Sequence, residues 1–305
     1  MLSYWEKQSF LTYDFIVVGS GVVGLSAALS LREQFPSKTI AVFERGWLPT
    51  GASTKNAGFA CIGSLTELIS DAKILPKEKL LALTEMRFRG LRKLRQRCGD
   101  TSIDYRENGS YELLFPGQEE ILEHLTEWNE TLRPLLKDQA FSIADGKISD
   151  FRFQGVKHLI RNHFEGEINS GKLIKRLLQI CHAEDIEVKT GMQVEKINDE
   201  GHQAVVIVAD GKESLPFKTS KAIICTNAFA QKLLPNADIE PGRGQVLITK
   251  PLSSLPFKGT FHFDEGYYYF REIDGRVLFG GGRNLDFETE KTTTFAANPA
   301  ITAQL

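Results

Sequence analysis

Tyr13-Asp14-Phe15-Ile16-Val17-Val18-Gly19-Ser20-Gly21-Val22-Val23-Gly24-Leu25-Ser26-Ala27-Ala28 runs from an apolar strand through a glycine turn into an apolar helical pattern. A second apolar strand, residues 39–43, ends on Glu44. Strand, Gly-x-Gly-x-x-Gly turn, helix, strand and acid, in that order, make a dinucleotide-binding arrangement. Gly19 permits the tight turn, Gly21 lets the backbone approach a pyrophosphate, and Gly24 lets the helix pack closely on the strand. At the helix start, around Val22 and Val23, unpaired N–H groups and a partial positive charge suit the same anionic group. Glu44 stands where a carboxylate accepts hydrogen bonds from both hydroxyls of a ribose.

The remainder of the chain sets bounds on class. With 305 residues it is long enough for one large core or two moderate ones. Its 42% hydrophobic and 25% charged residues are those of an ordinary globular protein. A net charge of -2 gives no reason to expect nucleic acid or an anionic membrane as a main partner. Cys61, Cys98, Cys181 and Cys225 are widely spaced with no CxxC pair. That pattern predicts small buried hydrophobes in a reducing compartment and no metal site. No stretch reaches the roughly eighteen apolar residues of a membrane span, and residues 1–11 lack the apolar run of a signal peptide. Together these features predict a cytoplasmic protein without an integral membrane segment. Peripheral attachment to a membrane and a homo-oligomer are both left open.

After Glu44 the chain enters a loop rich in glycine and hydroxyl side chains, Gly51-Ala52-Ser53-Thr54-Lys55-Asn56-Ala57-Gly58. The loop starts at the carboxyl edge of the sheet, where parallel α/β sheets bind cofactors. Ser53 and Thr54 can donate to phosphate, and Asn56 with the N–H groups around Ala57 and Gly58 can reach a ring system further on. The run from Tyr13 to Ala28, Glu44-Arg45 and this loop together resemble the D-amino-acid-oxidase-like FAD enzymes, the family of glycine oxidase, sarcosine oxidase and D-amino acid dehydrogenase. The resemblance implies FAD as cofactor. It also implies an α/β fold: a Rossmann-like FAD-binding domain with a discontinuous α+β substrate domain built on an antiparallel sheet. Because residues 99–151 leave the α/β rhythm, the FAD-binding domain is expected at 1–98 and 152–238 and the substrate domain at 99–151 and 239–305.

Residues 65–98 read as helix, broken at Leu75-Pro76, with its arginines and lysines on a solvated face. Residues 104–115 read as strand and 118–132 as amphipathic helix. From about Glu165 the first domain resumes, with a helix from about Ser170 to about Ala183. Strands at 204–209 and 213–219 flank a turn at Asp210-Gly211, and a separate apolar strand begins at Lys221. By the resemblance, Val194 lies against the adenine and pairs with it through its backbone. Cys225-Thr226-Asn227-Ala228 resembles the family's second cofactor-edge turn, which implies that Thr226 and Asn227 face the dinucleotide. Pro241-Gly242-Arg243-Gly244-Gln245 is similar to the family's strand beside the flavin, and there Arg243 reads either as an anion contact or as a structural salt bridge. Residues 266–282 read as a hairpin turning at Asp274-Gly275, with Tyr267 and Tyr269 on one face and Tyr268 and Phe270 on the other. The resemblance implies that this hairpin offers a tyrosine hydroxyl to the substrate, and Tyr268 matches best. Of the six histidines, His262 is the one near this proposed site.

The implied reaction is oxidation of the C–N bond of an amino acid or amine to an imine by hydride transfer to flavin. Flavin carries the electron chemistry, and no general base is strictly needed, in keeping with the lack of any Ser/His/Asp set or metal cluster. Two other functions stay open: a catalytically inert flavin-binding fragment, and a flavin dehydrogenase acting on a polyol phosphate. The resembled family continues past the position of Leu305, with an arginine for the substrate carboxylate and a further glycine-rich turn. A C-terminal segment is therefore expected to be missing here. Exchanging Glu44 for Ala should weaken FAD binding by about 1–3 kcal/mol, the size of a charge-assisted contact. Titration of apoprotein with FAD measures this, and an unchanged affinity would put the ribose elsewhere.

Overall fold

In the computed structural model, residues 2–209 and 214–305 are described, so the turn expected at Asp210-Gly211 lies outside them. The chain divides into two compact units. Unit 1 comprises residues 1–55, 170–242 and 291–293, and unit 2 comprises 56–169, 243–290 and 294–305.

Unit 1 is built on a six-stranded sheet in the order Glu187–Lys189, Ile40–Phe43, Thr12–Val18, Ser214–Ile224, Ala204–Ala209, Gln193–Asp199. Thr12–Val18 pairs in parallel with both of its neighbours. Its helical crossover, Val22–Gln34, leads to the strand on one side, while Ser214–Ile224 lies on the other. The order therefore reverses at Thr12–Val18, the position where open α/β sheets bind ligands at their carboxyl edge. Ile16, Val17, Ala41 and Val42 are fully buried, as parallel strands covered on both faces require. The strands expected separately at 213–219 and from Lys221 onward form one strand, Ser214–Ile224. At the join, the buried Thr219 hydroxyl lies 3.0 Å from both the Asp14 and the Lys221 carbonyl oxygens, and this anchors the residue to the neighbouring strand. Helix Ser170–Ala183 turns Leu173, Ile174, Leu177 and Cys181 inward.

Unit 2 carries a seven-stranded sheet in the order Gln245–Ile248, Arg276–Gly281, Tyr268–Ile273, Thr260–Phe263, Ser110–Leu114, His158–Asn162, Phe141–Ile143. It is antiparallel except where Thr260–Phe263 meets Ser110–Leu114. The hairpin turn falls at Asp274-Gly275, both with positive φ (50° and 71°), as a tight hairpin of matching twist demands. Helices Leu65–Asp71 and Lys77–Cys98 also belong to unit 2, whereas the sequence predicted residues 1–98 for the cofactor domain. The physical reason is their apolar face. Leu65, Leu68 and Leu80 join Trp128, Leu132, Phe141 and Ile160 in one buried cluster. Leu65–Asp71 starts at a capping box, in which Ser64 Oγ accepts from Glu67 N and Glu67 Oε2 accepts from Ser64 N.

The two faces of this sheet differ in chemistry. One holds stacked aromatics: Tyr111 on Phe261 (5.3 Å between ring centres), Phe261 on Phe270 (4.9 Å) and Phe263 on Tyr268 (5.1 Å). The other carries Ser110, Glu112, Thr260, His262 and Arg271, all buried. Cys98 and Cys181 are buried as expected; Cys61 is exposed and Cys225 half-buried. Among the described residues no helix is long and apolar enough to cross a membrane. Phe261 is fully buried in the aromatic face, so Phe261→Ala should cost about 3–5 kcal/mol of stability in denaturant unfolding. A loss under about 1 kcal/mol would mean that this face is loosely packed.

Candidate functional site

The first cluster of site residues lies along the carboxyl edge of the unit 1 sheet. Gly19 follows the first strand with φ +106°, and a Cβ there would stand 2.6 Å from the Cys225 carbonyl oxygen. At Gly24 a Cβ would stand 1.8 Å from the Gly19 carbonyl oxygen, so the helix can approach the turn only because the residue is glycine. A Cβ on Gly21 would meet Ser53 Oγ at 2.9 Å, and that oxygen also accepts from Val22 N at 2.9 Å. Ser53 thus satisfies one of the N–H groups at the helix start, while Val23 in the same turn is exposed.

Glu44 is half-buried and held in place from both sides. Its Oε2 accepts from Ser20 N (3.1 Å) and Ser20 Oγ (2.7 Å), and its Oε1 accepts from Gly46 N (3.0 Å). The backbone of Met192 donates to the Glu44 carbonyl (2.8 Å) and that of Gly191 to the Gly46 carbonyl (3.1 Å). These bonds bring Val194, two residues on, to the neighbourhood of the acid. Its side chain is buried in the sheet core, and its carbonyl accepts from Gln193 Nε2 at 3.2 Å. Cys225 N donates to the Val18 carbonyl at 2.8 Å, which places Thr226 beside the glycine turn. Asn227 has φ +47° and starts the short helix Asn227–Lys232. The Arg45 guanidinium lies over the Phe229 ring, 3.7 Å from its centre, so Arg45 joins the two edge segments by a cation–π contact.

These residues fit an adenine dinucleotide. Thr226 Oγ1 is buried and has no hydrogen-bond partner among the described residues. An orphaned hydroxyl of this kind at the switch point is costly unless a ligand or water satisfies it. Gly19, Gly21, Val22, Val23, Gly24, Glu44, Arg45, Ser53, Val194, Thr226 and Asn227 all fall in unit 1. Thr54 is in the same unit, but its hydroxyl serves the loop itself, lying 3.0 Å from the Pro49 and 3.2 Å from the Gly51 carbonyl oxygens. A hydroxyl with one hydrogen, engaged in this way, must break a loop contact before it can donate to phosphate.

Asn56, Ala57 and Gly58 fall in unit 2. Asn56 Oδ1 accepts from Gly58 N at 2.8 Å, and the Ala57 and Gly58 carbonyls face the buried Arg271. Burial pulls the Arg271 guanidinium below its usual pKa, opposed by the nearby Glu167. Arg243, the expected anion contact, is instead taken up by a carboxylate. Its Nε and Nη2 donate to Glu290 Oε2 (2.8 Å) and Oε1 (2.7 Å), and Nη1 donates to the Thr294 carbonyl (3.2 Å). Glu290 is fully buried and receives further bonds from Gln245 and Asn298. Of the two alternatives open in the sequence, this geometry is the structural salt bridge.

Tyr268 stacks on Phe263 and lies beside Phe279, on the aromatic face of the sheet. Tyr269 is the tyrosine on the polar face, in register with His262, which is in register with Glu112 on the next strand. Burial raises the Tyr269 pKa. Glu112 accepts from the Thr66 hydroxyl and from Thr66 N (3.3 Å); burial raises its pKa against the opposing pull of His262 and Thr66. His262 Nδ1 is 3.9 Å from Glu112 Oε1 and has no hydrogen-bond partner among the described residues. Glu112, Arg271 and Glu165 are missing from the residues picked out in the sequence. A charge set between Tyr111 and the leucines of strand Ser110–Leu114 is the signal that could have found Glu112. Glu165 accepts from the backbone of Ile62 and Gly63 and from Ser110 Oγ, at 2.7 to 2.9 Å, and nothing local in the sequence marks it.

The family model described as FAD dependent oxidoreductase (DAO) matches residues 14–305. L-2-hydroxyglutarate dehydrogenase of Escherichia coli O17:K52:H18 is 21% identical over 300 residues, covering 91% of this chain. The chain spans 65% of that relative's length. Glycine oxidase from Bacillus cereus ATCC 14579 superposes with a TM-score of 0.70 at 20% identity, covering 96% of this chain and 76% of that one. Dithionite-reduced L-alpha-glycerophosphate oxidase from Mycoplasma pneumoniae, with FAD bound, gives 0.71 at 17% identity, covering 89% and 71%. At these identities the solved structures show a shared fold.

The Arg243–Glu290 pair has a pH signature. The bonds from Arg243 hold the Glu290 carboxyl down at about 2, against an ordinary 4.5. A carboxylate with a depressed folded-state pKa contributes stability in full above its unfolded pKa. That contribution is lost as pH falls from about 4.5 through about 2. Urea midpoints of wild type should therefore fall over this window, and those of Glu290→Gln should fall less. Parallel curves would show that the pair is not coupled to folding.

Proposed function

This chain belongs to the FAD dependent oxidoreductases of the DAO family, and from that premise we propose that it oxidises the C–N bond of an amino acid or amine to an imine. FAD, when bound, supplies the two-electron acceptor for the C–H bond next to nitrogen. The chain's own residues bind and orient. Glu44 and Val194 serve the adenosine end, Val22 and Ser53 the pyrophosphate, and Thr226 supplies a hydroxyl that lacks a partner in the protein. Asn56, Ala57 and Gly58 are assigned to the ring end of the cofactor. In place of Tyr268, Tyr269 is the better candidate to face substrate, because it shares the polar face with His262 and Glu112 while Tyr268 is packed among aromatic rings.

One observation supports an amine in particular. The polar face of the unit 2 sheet carries buried polar groups, with His262 Nδ1 3.9 Å from Glu112 Oε1 and without a hydrogen-bond partner among the described residues. A carboxyl and an imidazole can both accept hydrogen bonds, which the N–H groups of an amine complement. A second reading, a 2-hydroxy acid, draws on the likeness to L-2-hydroxyglutarate dehydrogenase over most of this chain. Removing an O–H proton calls for a base, and His262 is a side chain of suitable type on that face.

The test is anaerobic mixing of the yellow holoprotein with separate panels of amino acids, amines, 2-hydroxy acids and polyol phosphates. Bleaching by amino acids or amines is expected. Bleaching by 2-hydroxy acids alone would replace the amine with the second reading. No bleaching by any panel would leave a flavin-binding protein without these activities.

A further inference from the structure

Arg271 is an unusual side chain for the middle of a hairpin strand. It is only 6% exposed, and its guanidinium is spent mainly on backbone. Nη1 donates toward three carbonyls, those of Ala57 (3.3 Å), Gly58 (3.0 Å) and Ile168 (3.0 Å), while Nε donates to the Glu272 carbonyl (3.3 Å). It pairs with the Glu167 carboxylate, whose Oε2 lies 3.4 Å from Nη2. That oxygen has no hydrogen-bond partner among the described residues, and the other accepts from Asn108 Nδ2 at 2.7 Å. The buried positive charge is therefore met at close range by the loosely placed Glu167 and a ring of carbonyl dipoles, with Glu272 and Asp104 adding to them. Two of those carbonyls, of Ala57 and Gly58, belong to the segment that the proposed function assigns to the cofactor. The third, of Ile168, belongs to the segment whose N–H donates to the Gly58 carbonyl at 2.8 Å.

A trans peptide plane places its C=O and N–H on opposite sides. Once Arg271 draws the Ala57 carbonyl to itself, the Gly58 N–H must point the other way, and there Asn56 Oδ1 takes it. The side chain thereby fixes the orientation of successive peptide groups in the loop. Without these contacts the Gly58 carbonyl would keep its bond from Ile168 N, while the Ala57 carbonyl would lose the Arg271 donor. Lysine has a compact head and cannot fork across several acceptors in one plane as guanidinium does.

We propose that Arg271 is a positioning residue for FAD: it sets the peptide orientation of residues 56–58 and so sets the protein's affinity for the cofactor. This rests on the reading that the 56–58 loop contacts FAD. It also ties that loop to the hairpin strand Tyr268–Ile273, which carries Tyr269, so one side chain orders both the cofactor loop and the substrate-facing hairpin.

The experiment compares Arg271→Met and Arg271→Lys with wild type in three measurements: the Kd for FAD by titration of apoprotein, the visible circular dichroism of bound flavin, and the melting of the apo form. In Arg271→Met the Kd should rise by about 10- to 100-fold, the effect of losing charged hydrogen bonds to buried carbonyls. Arg271→Lys should give a smaller rise, with an altered flavin dichroism in both variants. If Arg271→Met does not fold, Arg271→Lys decides by the same two readouts. Variants that melt earlier as apoproteins yet bind FAD with wild-type Kd and dichroism would overturn the proposal, leaving Arg271 a purely structural clamp. Wild-type protein that takes up no FAD would overturn both the proposal and the functional reading beneath it, so the two failures are distinguishable.

Discussion

The close approach of one helix to one strand governs what unit 1 can hold. Helix Val22–Gln34 reaches the first strand with so little clearance that any Cβ at Gly24 would sit inside the Gly19 carbonyl oxygen. This fixes the helix start against the carboxyl edge of Thr12–Val18. The parallel neighbours on either side then deliver Glu44 and Cys225-Thr226 to the same edge. Close packing holds the strands together, but the steric limit at these glycines decides where the edge is. The polar groups gathered there form a partly satisfied set: Glu44 is held by Ser20 and Gly46, Val22 by Ser53, and Thr226 Oγ1 by nothing among the described residues.

Unit 2 uses two arginines in opposite ways. Arg243 meets a fully buried carboxylate in a bidentate pair, and the surrounding Gln245 and Asn298 bonds complete the charge. Arg271 meets mostly carbonyl dipoles, and it orients backbone where Arg243 neutralises charge. The unit 2 sheet separates aromatic rings from buried polar groups face by face. That separation gives the polar groups a low-dielectric backing, and burial raises the pKa of both Glu112 and Tyr269.

Local features were legible in the sequence. The first strand, glycine turn, helix and acid follow from spacing, and the hairpin turn from the need for positive φ at Asp274 and Gly275. The resemblance then extended this to the family and to FAD. What escaped the sequence depends on partners distant in the chain. Arg243 reads the same whether it faces an anion or Glu290, and only folding brings Glu290 to it. Arg271 acts on Ala57 and Gly58, far away in sequence. The amphipathic pattern of Lys77–Cys98 shows that one face is buried, but not which core receives it, so the unit border fell at Lys55 and not at residue 98. Tyrosines alternate in Tyr268-Tyr269 whichever face is polar; the neighbours His262 and Phe263 settle that.

The central claim is that the carboxyl edge of the unit 1 sheet holds the adenosine half of FAD. A crystal structure of the protein grown with FAD tests it most directly. The expected result is ribose hydroxyls bonded to the Glu44 carboxylate, with Ser20 Oγ released from it and Thr226 Oγ1 partnered by the dinucleotide or a water bound to it. A structure in which FAD is bound while Glu44 keeps its bonds to Ser20 and Gly46, and the ribose lies away from it, would contradict the account.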